Sequence, residues 1–140
     1  MPREIYFMKL AITGALGHIG SGMIRELPLV FPGVEIVMID DLSTQRYCSL
    51  FNLPKQANYK FIQGDVLNLD LKSIFSDADI VIHLAAITDA TKSFENKEQV
   101  ESINFNTSLR VAEACISSGS KMLLISSTSV YGTQESQVDE

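Results

Sequence analysis

The sequence predicts an α/β domain, an open parallel sheet doubly wound with helices on both faces, in strand order 3-2-1-4-5. Three observations carry that prediction. Apolar strand-like runs alternate with segments of helical period along the 140 residues. A glycine turn, Thr13-Gly14-Ala15-Leu16-Gly17-His18-Ile19-Gly20, joins the first strand to the first helix. Finally, the candidate site residues fall at the carboxyl ends of strands, where open sheets of this kind bind ligands.

The elements follow in order. Strand one is predicted over Tyr6–Ile12, and helix one over His18–Leu29. Pro28 lies near that helix's end, and Pro32-Gly33 makes the return turn. Strand two covers Glu35–Ile39. The polar stretch Ser43–Asn58 holds a short helix around Tyr47–Asn52, stopped by Pro54. Strand three is Tyr59–Gln63, followed by a short helix near Leu69–Phe75. Strand four, Ile80–Ala85, is apolar nearly throughout, as a parallel strand covered on both faces should be. The longest helix spans Lys97–Ser117. Its Val100, Ile103, Thr107, Val111, Ala114 and Cys115 fall at helical spacing and form a buried stripe. Gly119 caps it, and strand five follows at Lys121–Ser126.

Composition narrows the classes. Apolar residues make up 46% and mean hydropathy is +0.14, which marks a globular chain with a core rather than a disordered one. The apolar runs fall short of the about 20 residues that span a bilayer, and the N-terminus lacks a signal-peptide pattern. Met8 is an alternative start. Net charge is −6 without a Lys/Arg cluster, so neither nucleic acid nor a membrane is an expected partner. Cys48 and Cys115 have no metal-ligand spacing and read as reduced thiols of a cytoplasmic protein; with His18 and His83 as the sole histidines, no metal site is expected.

The glycine turn carries the first functional signal. A turn between a strand and a helix aims the helix N-terminus, with its unpaired N–H groups, at the space above the strand end. A diphosphate is the usual guest there. Gly14 lets the chain leave the strand sharply, Gly17 clears room for the phosphates, and Gly20 lets the helix pack closely on the sheet. The spacing is G-x-x-G-x-x-G rather than G-x-G-x-x-G. Asp40 ends strand two, twenty residues after Gly20, where an acidic residue holds a ribose hydroxyl pair. The plainer reading of Asp40 is a solvated loop carboxylate.

Several motifs together resemble one family, the extended short-chain dehydrogenase/reductases, and within it the NAD-dependent nucleotide-sugar epimerases and dehydratases. The glycine turn resembles T-G-x-x-G-x-[IL]-G, and Asp40-Asp41-Leu42-Ser43 resembles D-x-L-S. Gly64-Asp65-Val66 resembles G-D-[IV], and His83-Leu84-Ala85-Ala86 resembles H-x-A-[AG]. Asn104 lies in a segment similar to the helix signal N-x-x-[GT], and Ser126-Ser127-Thr128-Ser129-Val130-Tyr131-Gly132 resembles S-S-x-x-V-Y-G. The resemblance covers essentially the whole chain. It implies a Rossmann-like NAD-binding domain over residues 1–140, truncated before the last strands and without its C-terminal substrate domain.

The same resemblance implies residue roles. Gly14, Gly17 and Gly20, with the backbone of His18 and Ile19, would cradle the NAD diphosphate. Asp40 would hold the adenosine ribose, with Asp41 and Thr44 assisting, and Asp65 and Val66 would contact adenine. Leu84, Ala85 and Ala86 would line the nicotinamide half, with Asn104 near it. Asp40 disfavours a 2′-phosphate and so favours NAD over NADP. Arg46 is the residue that would argue the other way.

Ser127 matches the family's catalytic serine or threonine. The family's base, a tyrosine in Y-x-x-x-K, is absent: Tyr131 is followed four residues later by Glu135. The expectation is that this chain is the cofactor-binding portion of an enzyme and inactive alone. The dehydratases carry an acidic pair where this chain has Thr128 and Ser129, which favours epimerisation at C4 of a nucleotide sugar, with a UDP-sugar as substrate.

The competing readings are a non-catalytic nucleotide-binding module, or a fragment that folds only as an oligomer. An apolar edge on strand five and the Lys97–Ser117 helix predict self-association. Asp89 reads equally as a substrate contact or a loop carboxylate, and His83 as a packed strand-end histidine.

Overall fold

A computed structural model describes residues 8–87 and 97–125. In chain order its elements are β1 (Lys9–Thr13), α1 (His18–Val30), β2 (Glu35–Asp40), a 3-10 turn at Tyr47–Leu50, β3 (Asn58–Gln63), α2 (Leu71–Ile74), β4 (Ile80–His83), α3 (Lys97–Ser118) and β5 (Lys121–Leu124). The five strands form one parallel sheet in the order β3-β2-β1-β4-β5, as the sequence predicts. Tyr6, Phe7, Asp89, Ser126, Ser127, Thr128, Ser129, Tyr131 and Glu135 lie outside the described residues.

Side chains alternate across the strands with period 2, so each strand feeds two cores. Leu10 and Ile12 of β1, Ile36 and Met38 of β2, and Ile82 of β4 pack with Leu16 and Ile24 on the α1 face. Ala11, Val37, Ile39 and Val81 face the other way, onto Leu71 and Phe75 near α2 and Val111, Ala114 and Cys115 of α3. Of the predicted α3 stripe, Thr107, Val111, Ala114 and Cys115 are buried, and Val100 and Ile103 are partly so. Burial pushes the Cys115 thiol pKa up, whereas Cys48 is exposed.

The boundaries differ from expectation where polar groups end an element. Helix α2 is a single turn that starts at Leu71 rather than Leu69 because Asp70 caps it there: its carboxylate accepts from the Ser73 N–H at 3.3 Å and the Ser73 hydroxyl at 2.7 Å. Strand β4 stops at His83, since the Leu84 N–H closes the ladder on the Thr13 carbonyl at 3.0 Å and the chain then leaves the sheet. Pro28 sits inside α1 near its end, as the sequence predicts. Lacking an N–H, it frees the carbonyl of Ile24, four residues back, and the Tyr59 hydroxyl of β3 donates to that carbonyl at 2.8 Å. Burial raises the Tyr59 phenol's pKa, with nearby Arg25 opposing. Among the described residues, no helix is long and apolar enough to cross a membrane, and no cluster of His, Cys, Asp or Glu could hold a metal.

Candidate functional site

The glycine turn leaves β1 at the point where the sheet reverses its winding, between β1 and β4. Gly14 is left-handed, with φ +67°, and a Cβ there would lie 2.7 Å from the Ala85 nitrogen. Glycine is therefore required twice, for its backbone angle and for the exit of β4 passing beside it. The Gly17 N–H returns to the Gly14 carbonyl at 3.1 Å, and Gly17 is the residue just before α1. A Cβ on Gly17 would meet the Gly14 oxygen at 3.2 Å.

At Gly20 the tightest approach is to the turn itself: a Cβ would sit 2.5 Å from the Gly14 oxygen and 2.6 Å from the Ala15 oxygen. The helix can fold back over its own entry only because position 20 has no side chain.

At the start of α1, no side chain caps the N-terminus and no acidic residue occupies the first turn. The first N–H groups of a helix have no partner within it, and its dipole favours an anion. His18 and Ile19 are exposed there, and the Arg46 Nη1 lies 3.4 Å from the His18 Nδ1. This donor set fits a diphosphate.

Asp40 is the last residue of β2, and its carboxylate ties the turn to the loop after β2. One oxygen accepts the Leu16 N–H and the other the Leu42 N–H, both at 3.0 Å. A carboxylate oxygen takes two donors, so each retains a free direction for a hydroxyl. The Ala15 N–H also reaches the Ile39 carbonyl, at 3.2 Å. Beyond Asp40 the backbone is strained: Leu42 and Gln45 have φ of 60° and 54°. Asp41 accepts the Ser43 N–H at 2.8 Å, and Asp41 and Thr44 are both exposed.

Beside this loop runs the one after β3, joined to it by the Gly64 N–H on the Asp40 carbonyl at 3.0 Å. Asp65 is exposed and folds its loop around its own carboxylate, accepting the Leu67 N–H at 2.9 Å. Val66 turns its side chain into the core. After β4, Leu84 and Ala85 are half-buried and Ala86 is exposed. Asn104 of α3 pairs with the backbone of Ile87 in both directions: its Oδ1 accepts the Ile87 N–H at 2.8 Å and its amide donates to the Ile87 carbonyl at 3.1 Å. It thereby fixes the path of the chain leaving β4.

Below the turn, the Thr13 hydroxyl lies 2.7 Å from the buried His83 Nδ1. The same hydroxyl accepts the N–H groups of Leu84 and Ala85, at 3.3 and 3.4 Å. Its one hydrogen is then left for His83, so Nδ1 is the acceptor and the ring is the neutral Nε2–H tautomer. Burial, which lowers the His83 pKa, acts in the same sense.

Two arginines emerge only in three dimensions. Arg25 of α1 donates to the Ser21, Ser49 and Phe51 carbonyls, and Arg110 of α3 to those of Val66 and Leu69. Neither lies in a motif. Their partners, apart from Ser21, are 24 to 44 residues away, so no local spacing could have marked them.

The sheet order, the glycine turn at the winding reversal and the uncapped helix N-terminus define a Rossmann-like α/β fold. The chain belongs to the NAD dependent epimerase/dehydratase family, whose model matches residues 10–140. A curated relative, dTDP-D-glucose 4,6-dehydratase of Dictyostelium discoideum, is 33% identical over 138 residues, covering 93% of this chain and 31% of that protein. UDP-N-acetylglucosamine 4-epimerase from Methanobrevibacter ruminantium M1 superposes with a TM-score of 0.84 at 29% identity, over 97% of this chain and 43% of that one. UDP-glucuronic acid 4-epimerase from Bacillus cereus, solved with UDP-glucuronic acid and NAD, gives 0.79 at 31% identity, over 95% and 44%. This chain thus spans 31% to 44% of the length of these relatives.

Proposed function

We propose that the chain is the NAD-binding portion of a nucleotide-sugar epimerase. The observation that carries this reading is one arrangement at the carboxyl edge of the sheet. There an uncapped α1 N-terminus, a glycine turn and an acidic β2 end are tied together through Leu16 and Asp40. The family membership and the NAD in a structural neighbour support the same cofactor. Bound there, NAD supplies the acceptor and donor of a hydride at the sugar C4.

The chain's own residues bind and orient. The backbone of Gly17, His18, Ile19 and Gly20 holds the diphosphate, with Gly14 shaping the turn. Asp40 takes the ribose hydroxyls on its free acceptor directions, with Asp41 and Thr44 beside it. Asp65 and Val66 border the adenine. Leu84, Ala85 and Ala86 form the floor of the nicotinamide half, which Asn104 keeps in place through Ile87. Ser127 holds the sugar hydroxyl. Residues 1–140 form one cofactor domain, and the sugar, read as a UDP-sugar, is selected outside it.

Calorimetric titration with NAD⁺ and NADP⁺ tests the reading. Saturable NAD⁺ binding is expected, with NADP⁺ at least about tenfold weaker because the Asp40 carboxylate repels a 2′-phosphate. Asp40→Asn, which keeps one acceptor oxygen, narrows that gap. A preference for NADP⁺ refutes the Asp40 role and points to Arg46. Binding of neither nucleotide refutes the reading.

A second reading, a 4,6-dehydratase, is favoured by the identity to the Dictyostelium enzyme, whereas Thr128 and Ser129 favour epimerisation. Product analysis with the full-length enzyme separates them: a C4 epimer against a 4-keto-6-deoxy sugar. Self-association is the remaining element. Leu123, Leu124 and Ile125 at β5 and Phe105 and Ile116 of α3 are exposed apolar side chains. A monomer at all concentrations in sedimentation refutes it.

A further inference from the structure

We infer that Arg25 and Arg110 are positioning residues for the adenosine end of the site, each clamping one of the two loops that border it. The inference rests on the nucleotide reading above. The loops leave the carboxyl ends of adjacent strands, β2 and β3. The first carries Asp41, Thr44 and Arg46, and the second carries Asp65 and Val66. A ribose on one and a base on the other require a fixed separation between them.

Neither loop is held by a strand ladder, so its carbonyls need other donors. Arg25 supplies them to the first loop. Its Nη2 donates to the carbonyls of Ser49 and Phe51 at 2.9 and 3.0 Å, while Nη1 holds the Ser21 carbonyl of its own helix at 2.9 Å. The Ser49 hydroxyl adds a longer tie to the Leu16 carbonyl, 3.4 Å away. The loop so fixed contains three left-handed residues, Leu42, Gln45 and Asn52, a conformation that persists only when its surroundings hold it.

Arg110 treats the second loop in the same way from the opposite face of the sheet. Its Nε donates to the Val66 carbonyl at 3.1 Å and its Nη2 to the Leu69 carbonyl at 3.0 Å. In both cases one planar guanidinium spans carbonyls two or three residues apart. A lysine ammonium, a single compact charge on a flexible stem, does not reproduce that fork. The two clamps act on separate loops, so their effects should add.

The test titrates 5′-AMP and inorganic pyrophosphate into the unaltered protein, Arg25→Gln, Arg110→Gln, the two lysine variants and the double glutamine variant. Pyrophosphate reports the α1 N-terminus and the integrity of the fold; 5′-AMP reports the adenosine end. Each glutamine variant should weaken 5′-AMP about tenfold, the lysine variants should recover little, and the double variant should lose about a hundredfold. Pyrophosphate affinity should stay within about twofold throughout, and amide exchange should quicken in the clamped loop of each variant.

A purely structural role would lower the melting temperature and leave 5′-AMP affinity intact; that result, in both glutamine variants, overturns the inference. Failure of the unaltered protein to bind 5′-AMP overturns the nucleotide reading and this inference with it.

Discussion

Replacing Gly20 and Gly22 by alanine, one at a time, puts the geometry of the turn to a quantitative test. Both glycines lie inside α1, where alanine is intrinsically better by about 1 kcal/mol. At Gly22 a Cβ meets nothing within 4 Å, so Gly22→Ala should realise that gain and stabilise by about 0.5–1 kcal/mol. At Gly20 the same Cβ lands 2.5 and 2.6 Å from two backbone oxygens. Those atoms belong to a turn anchored by the Gly17, Ala15 and Leu16 N–H groups, and they must retreat by roughly half an ångström or more. Overpacking of this kind costs about 2–3 kcal/mol, which exceeds the propensity gain and leaves Gly20→Ala destabilised by about 1–2 kcal/mol.

Thermal unfolding reads the pair. For a chain of this size, about 1 kcal/mol is roughly 3–4 °C. Gly22→Ala should therefore melt about 2–4 °C higher and Gly20→Ala about 3–8 °C lower, and NAD⁺ affinity should fall only in the second. Equal shifts at the two positions would refute the reasoning, because they would show that the turn does not pack against position 20.

Three further predictions address other parts of the structure. His83 is held neutral by burial, so its folded pKa lies below the usual 6.5 and the unfolded chain takes up the proton first. Stability should be intact above pH 6.5 and decline as pH falls below it, down to the folded pKa, by at most about 1.4 kcal/mol per unit. Urea titrations at pH 7.5 and 5.5 should show this decline reduced in His83→Gln. Tyr59→Phe should cost about 1–1.5 kcal/mol by stranding the Ile24 carbonyl, and less in a Pro28→Ala background, where residue 28 has an N–H to offer. A double-mutant cycle with no coupling would contradict it. Asn104→Leu removes both bonds to Ile87 and should speed amide exchange at that residue, with a stability loss of about 1–2 kcal/mol in denaturant.

Much of this architecture is written in local pattern. The period of apolar residues marks β1 to β5 and the long α3, because burial on a sheet or helix face imposes that period wherever the chain runs. Gly14, Gly17, Gly20 and Asp40 stand out for a similar reason: a turn of this shape admits few residue types at those positions. Boundaries were harder to read. The Asp70 cap set the start of α2 at Leu71, and the Leu84 N–H closed β4 on the Thr13 carbonyl. Both are decided by which polar group reaches an unpaired backbone group first.

By itself, the sequence determined the strand order, the turn at the winding reversal and the residues at the carboxyl edge, since these follow from periodicity, glycine placement and the handedness of crossovers. Tertiary structure alone decided that Gly20 packs against its own turn, that Asp40 fastens that turn through Leu16, that Thr13 sets the His83 tautomer, and that Arg25 and Arg110 hold the loops. The physical reason is range. Periodicity and turn chemistry act between neighbours in the chain, whereas most of these contacts join residues 24 to 72 positions apart, and only the folded sheet brings them within reach.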